Sequence, residues 1–325
     1  MPPKVRTLKS DPSAVKECAA LLRSDELIAV PTETVYGLAG NALSGQAVRK
    51  IFDVKGRPLI DPLITHFKDA AHAFSYVQYS SPAETLAAAF WPGPLTLVLN
   101  KLPDIPDLVT AGLSSAAIRV PNQPTMQALL RELDFPLAAP SANPFGYVSP
   151  TRAEHVARTL GSKISAILDG GHCQHGIEST IIDLREPQMP RILRPGPISA
   201  KQIEIVLGCR IDSSPNSSAQ GAQTSPGQLS KHYSPRAKIE IVEHGELKPP
   251  FREGAAIIAN KKPPANGLKN LYWLSENGDL EEIAKNFFAL IQKLDRMQYT
   301  SLIVEAALHE GIGIALNDRL RRAAS

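Results

Sequence analysis

The chain has 325 residues, 43% of them hydrophobic and 21% charged, and a net charge of +3. This is an ordinary globular balance, long for one compact domain and comfortable for two. No apolar run is long enough to span a bilayer, the start MPPKVRTLKSD lacks the apolar core of a signal peptide, and so small a net charge makes no general claim on nucleic acid.

The first expected element is a helix over 13–24, capped by Ser13, with Val15, Cys18, Ala19 and Leu22 on one face. Leu27 to Val30 reads as a short buried strand. Pro31 stops it, and PTETVYGL at 31–38 places Thr32, Glu33 and Thr34 just past a strand end, where open α/β sheets keep their ligands. Ser44 caps a second helix with Val48, Ile51 and Phe52 inward, and KGRP at 55–58 follows it. Further strands are expected at 62–65, 95–99, 116–120, 137–139, 165–168, 179–183 and 191–194, and helices at 82–90, 124–133, 152–160 and 199–207. The mixture predicts one large α/β domain over 1–211.

From 212 to 237 the chain turns rich in Ser, Pro, Gly and Gln and loses its aliphatic residues, which predicts an interdomain linker. Its end is less like a passive tether, because Leu229, His232 and Tyr233 are there. From 238 the pattern restarts. IEIV at 239–242, AAIIA at 255–259, LYWL at 271–274 and SLIVEA after 300 read as buried strands. The cleanest helical period covers 279–295, with Leu280, Ile283, Ala284, Phe287, Phe288, Ile291 and Leu294 on one stripe, and a last helix is expected over 312–323. The alternation predicts a small Rossmann-like parallel α/β domain over 238–325. Gly311-Ile312-Gly313 is too short for a phosphate fingerprint.

Lys55, Arg57, Arg119 and Arg194 are the cations of interest, since Arg and Lys near a cleft stabilise carboxylate, bicarbonate or phosphate. Lys55 and Arg57 alternate along an extended segment, so both are expected to converge on one anion. Thr32, Thr34, Ser141 and Ser179 are hydroxyls that follow apolar strands and suit either turn formation or ligand contact. His66 ends the run PLIT. His172, Cys173 and His175 lack a second ligand cluster, so no metal site is expected. Glu33 and Glu178 could hold Mg²⁺ or orient an ammonium. Three widely spaced cysteines, Cys18, Cys173 and Cys209, build no disulfide framework and fit a reducing cytoplasm. No Ser/His/Asp triad, P-loop or HExxH motif is present.

Taken in order, PTETVYGL, KGRP, PLITH, AIRVP, APSANPFGYVSPT, GIESTIID, SPGQLSKHYSP at 225–235 and ALNDRLRRAA at 315–324 resemble the two-domain, YrdC-like threonylcarbamoyl-AMP synthase family. The resemblance implies a large twisted mixed-sheet domain with a concave cationic site and a small Rossmann-like second domain. It implies formation of threonylcarbamoyladenylate and pyrophosphate from L-threonine, bicarbonate and ATP, with Mg²⁺ carried on the nucleotide. It implies Lys55 and Arg57 as the catalytic pair, Thr34, His66, Arg119, Ala139 and Ser179 around the threonine, and Arg57, Ser115, Ser141, Asn143, Ser149, Arg194, His232 and Tyr233 around the nucleotide. A downstream tRNA threonylcarbamoyl transferase complex, with contact to tRNA, is the implied partner. The segment ending in His232 and Tyr233 is expected to act as a lid. Gln228 and Leu229 stand where such proteins more often carry Met and Lys, and Asp61 where a small or amide residue is frequent.

Two other classes compete. A double-stranded RNA-binding module would use the same concave cationic surface for a phosphate backbone, but no basic stretch interleaved with aromatics is present. A carbamoyl transferase of hydrogenase maturation would bring zinc-finger and acylphosphatase segments, and neither is visible.

Overall fold

The computed structural model describes residues 5–212, 232–249, 251–264 and 270–325. The linker expected over 212–237 therefore falls largely outside the described residues.

The chain opens with β1 (Arg6–Lys9) and α1 (Pro12–Arg23). The cap of α1 is Asp11 rather than the expected Ser13: its carboxylate accepts the Ala14 N–H at 2.9 Å, and Pro12 supplies a pre-set φ at the first helical position. Next come β2 (Ile28–Val30), β3 (Gly37–Asn41) and α2 (Gly45–Lys55), the last capped by Ser44 as expected. β4 (Ile64–His66), α3 (Ala70–Phe74), α4 (Ser81–Phe90), β5 (Leu95–Asn100) and β6 (Ser115–Arg119) follow. Then come α5 (Pro124–Arg131), β7 (Leu137–Ala138), α6 (Ala153–Thr159), β8 (Ala166–Asp169), β9 (Thr180–Asp183), β10 (Arg191–Arg194) and α7 (Ala200–Leu207).

Strands β1 to β10 form one mixed sheet in the order β1-β8-β2-β3-β7-β4-β6-β5-β9-β10. Three elements of this part were not foreseen. β1 is a polar edge strand, mostly exposed, so it lacks the apolar alternation that signals a strand. β3 reads GLAGN, and its two glycines blunt the β signal although the strand is sheet interior. α3 has five residues, too few for a helical period to show.

The second part carries β11 (Lys238–Val242), β12 (Ala255–Lys261), β13 (Leu271–Ser275), α8 (Leu280–Arg296), β14 (Ser301–Glu305) and α9 (Ile312–Ala324). Its four strands are all parallel, in the order β11-β14-β12-β13. A parallel sheet needs crossovers, and α8 supplies the one from β13 to β14.

The two sheets share a core. Val35, Val148 and Ile177 of the first part are buried in one cluster with Tyr233, Ile283, Ala284, Phe287 and Phe288 of the second. Full burial of the valine, isoleucine and phenylalanine side chains among them contributes about 1.5–3 kcal/mol each. Gly176, at φ 73°, lies so close to α8 that a Cβ there would stand 2.6 Å from the backbone oxygens of Ala284 and Lys285. Asp295, near the end of α8, accepts the Tyr147 hydroxyl at 2.8 Å and the backbone N–H groups of Arg236 and Ala237 at 2.7 and 3.2 Å.

Candidate active site

The register of the large sheet gathers the polar residues. In the parallel pair β4/β6, His66 is opposite Arg119. β5 runs antiparallel to β6 and parallel to β9, so the starts of β5 and β9 lie alongside those two strand ends. Ser179 immediately precedes β9, and Arg194 ends β10, which returns antiparallel to β9. A β-bridge from Gly37 to Ser141 brings the loop after β7 to the same rim.

These ends line a cleft that is open to solvent. Its wall includes all five residues expected around threonine, Thr34, His66, Arg119, Ala139 and Ser179. It also includes Arg57, Ser141, Arg194, His232 and Tyr233 of the nucleotide set. Val35 and Ile64 add apolar surface, and Thr32 and Glu178 further polar groups.

The hydroxyls are fixed by local turns and by arginines. Thr32 Oγ1 donates to Val35 O at 2.6 Å and accepts the Thr34 and Val35 N–H groups at 3.2 Å each, a side-chain turn that re-aims the chain after β2. Arg119 then donates to Thr34 Oγ1 at 3.0 Å, to Glu33 Oε1 at 2.6 Å and to Gly93 O at 3.2 Å. Arg194 donates to Ser179 through its carbonyl at 3.0 and 3.1 Å and its hydroxyl at 3.1 Å. The same hydroxyl lies 2.8 Å from that of Thr96. Gly196 makes this approach feasible: a Cβ there would sit 2.2 Å from Thr180 N and 2.8 Å from Glu178 O. Glu33 Oε2 and His232 Nδ1 are buried without a hydrogen-bond partner among the described residues.

The Lys55–Arg57 pair departs from the expected convergence. The Lys55 ammonium donates to the carbonyls of Ser141 and Asn143, at 2.6 Å each, and does not line the cleft. It holds the Ser-Ala-Asn loop from behind. Arg57 does line the cleft, and donates to Asp61 O at 2.9 Å and Pro62 O at 2.7 Å. Its guanidinium also lies 2.9 Å from the Asp61 carboxylate, so the unusual acid at 61 is a buried counter-ion to the arginine. Burial pushes the Asp61 carboxyl up, while Arg57, Lys55 and Arg194 pull it back.

Three more expected nucleotide residues lie off the wall. Asn143 donates to Pro144 O and Tyr147 O and so shapes its own loop. Ser149 donates to Glu178 Oε1 at 2.5 Å. Ser115 starts β6, four residues and about 13 Å along the strand from Arg119.

Arg57, Arg119 and Arg194 make the cleft wall cationic. Burial, then Arg119, brings the His66 imidazole down to about 3, so it is neutral at any working pH. Burial, then Arg57, Lys55, Arg194 and Arg319, holds His232 well below the ordinary histidine range. Tyr233 occupies the left-handed region at φ 65°, a strained position for an aromatic residue that persists only when its surroundings over-determine it. Those surroundings are the His232 ring edge at 4.1 Å, the Phe288 ring stacked at 5.5 Å and the Arg319 guanidinium at 5.3 Å.

Arg319 is the residue that sequence reasoning missed. It lies in α9, is fully buried, and donates through Nε to Glu178 Oε2 at 2.8 Å. The signal was present: with Ile312, Ala315, Leu316, Leu320 and Ala323 it shares the buried stripe of that helix. No group of three or more His, Cys, Asp or Glu among the described residues could hold a metal ion. No helix among them is long and apolar enough to cross a membrane.

Residues 20–196 match the family model described as telomere recombination, and residues 198–325 the model of the threonylcarbamoyl-AMP synthase C-terminal domain. The chain is 37% identical to the threonylcarbamoyl-AMP synthase of Pyrococcus abyssi over 320 residues, covering 95% of this chain and 93% of that one. It is 37% identical to that of Bacillus subtilis over 328 residues, covering 98% and 94%. The crystal structure of P. abyssi Sua5 complexed with L-threonine superposes with a TM-score of 0.88 at 35% identity, covering 98% of this chain and 97% of that one.

Proposed function

Because the chain belongs to the threonylcarbamoyl-AMP synthase family, we propose that its cleft binds L-threonine, bicarbonate and ATP and releases L-threonylcarbamoyladenylate and pyrophosphate. The observation that carries this reading is the single wall that joins Thr34, His66, Arg119, Ala139 and Ser179 to Arg57, Arg194, His232 and Tyr233.

Threonine sits against the first group. Arg119 and the Thr34 and Ser179 hydroxyls meet its carboxylate and hydroxyl, and Ala139, Val35 and Ile64 supply apolar surface for its methyl. Neutral His66 contributes hydrogen bonding without a titrating charge. The threonine amine takes up bicarbonate, with loss of water, to give an N-carboxylate. A carboxylate oxygen then attacks the α-phosphorus of ATP, the bond to the β-phosphate oxygen breaks, and pyrophosphate leaves with that electron pair. The enzyme is thus a nucleotidyltransferase.

Alignment and charge neutralisation are the protein's work. Arg57 and Arg194 face the phosphates, Ser141 and His232 fix the nucleotide, and Lys55 adds its charge from behind the wall while Asn143 shapes the loop. Both Glu178 oxygens are taken, by Ser149 and Arg319, which suits Mg²⁺ carried on the phosphates rather than in a protein site. Bound there, Mg²⁺ would supply positive charge to the phosphates. His232 and Tyr233, packed on the wall, keep water from the mixed anhydride. The product passes in the cytoplasm to a transferase complex that modifies adenosine 37 of ANN-decoding tRNAs.

The test is pyrophosphate release from ATP and bicarbonate with L-threonine, L-serine, glycine or no amino acid. We expect release that needs threonine and bicarbonate, and that falls at least a hundredfold in Lys55→Ala as the loop carrying Ser141 loses its anchor. A folded chain that releases none, yet binds double-stranded RNA with a steep salt dependence, would replace this reading with an RNA-binding module.

A further inference from the structure

We infer that Arg319, on the last helix of the second sheet, is a positioning residue for the nucleotide half of the active site in the first. The guanidinium is fully buried, and among the described residues every group it reaches outside its own helix belongs to the cleft wall or adjoins it. Nε donates to Glu178 Oε2 at 2.8 Å, Nη2 to Pro195 O at 3.0 Å, and the cation lies 5.3 Å from the centroid of the Tyr233 ring. Glu178 precedes Ser179, Pro195 follows Arg194, and Tyr233 lines the cleft itself. Asp318 holds the remaining nitrogen, Nη1, at 2.6 Å. The same helix accepts the His232 N–H at the Arg322 carbonyl, at 3.2 Å. One side chain therefore sets a carboxylate, the backbone beside an arginine and the seat of a strained tyrosine.

The electrostatic consequence is specific. Glu178 faces a space that has to receive the triphosphate, and a bare carboxylate there repels it. Paired with Arg319 the carboxylate is compensated, and it turns toward the Ser149 hydroxyl at 2.5 Å. The second sheet is thus a working part of the first sheet's chemistry. This inference rests on the assignment of His232, Tyr233 and Arg194 to the nucleotide.

The test uses the full-length chain with Arg319→Gln, Glu178→Gln and the double variant. Binding of MgATP and of L-threonine is measured by calorimetry, and pyrophosphate release by turnover. Arg319→Gln should weaken MgATP at least tenfold and threonine less than threefold. Adding Glu178→Gln should recover MgATP binding to within about threefold of the parent, a rescue that a merely structural role would not give. Unchanged MgATP binding in Arg319→Gln, or equal loss of both ligands without rescue, overturns the inference. Should Arg319→Gln not fold, Arg319→Lys decides: an MgATP-selective loss of at least threefold supports the inference, and unaltered binding overturns it. A parent chain that binds MgATP but makes no adenylate sinks the proposed activity alone. A parent that binds no MgATP sinks both.

Discussion

His66 is 2% exposed, opposite Arg119 in the sheet, and held at about 3. In the unfolded chain its imidazole returns to about 6.5. Below that value the unfolded state takes up a proton that the folded state refuses, so stability falls as pH drops from about 6.5 toward 3 and is unaffected above it. His155, also held at about 3 by burial and then by Arg158, adds a second proton to the same window. His66→Asn should reduce the slope of unfolding free energy against pH by about one proton, roughly 1.4 kcal/mol per pH unit, between pH 6 and 4. Urea unfolding of both proteins across that range checks it, and parallel slopes would refute it. The pH profile of turnover should show no inflection from this histidine.

Strand ends carried most of the candidate site into the sequence. Thr34, Arg119 and Ser179 each follow or end an apolar run, so their place on one rim could be read without coordinates. Arg319 was legible only as a member of the inner stripe of its helix; its role was not, because its buried carboxylate partner is 141 residues away. Lys55 was legible as a cation but not as a loop anchor, since its partners are carbonyls 86 and 88 residues away. The elements themselves were legible wherever period and length agreed, as in α8, and not where the strand was polar or glycine-rich, as in β1 and β3. At this scale the turn after β10 matters most. A methyl at Gly196 would lie 2.2 Å from Thr180 N and 2.6 Å from the Ser179 carbonyl carbon, both backbone and neither able to swing away. Gly196→Ala should lower stability by about 1–3 kcal/mol and cut adenylate synthesis at least tenfold by displacing Ser179 from Arg194. Thermal unfolding and turnover on one preparation test this, and an active variant of parental stability would refute it.

Across the whole molecule the two sheets meet through a shared apolar core and a set of specific polar contacts. Asp295 accepts three donors: the Tyr147 hydroxyl from the first sheet's part and two backbone N–H groups at the entry to the second. Asp295→Ala leaves those donors without their partner in a site that is 9% exposed. The loss should be about 2–4 kcal/mol, since bonds to a charged group contribute roughly 1.5–3 kcal/mol each and do not add fully. A fall in urea midpoint at constant slope would show it, and an unmoved midpoint would count against the junction. The contact between Gly176 and α8 bears on how such a protein can be rebuilt. Backbone meets backbone there, so no change of rotamer can absorb a misfit. A chimera that grafts another protein's second sheet onto this first one must lay its helix along the same line to within a few tenths of an ångström. The two halves look separable on paper, but they can be exchanged only between donors that have kept that line.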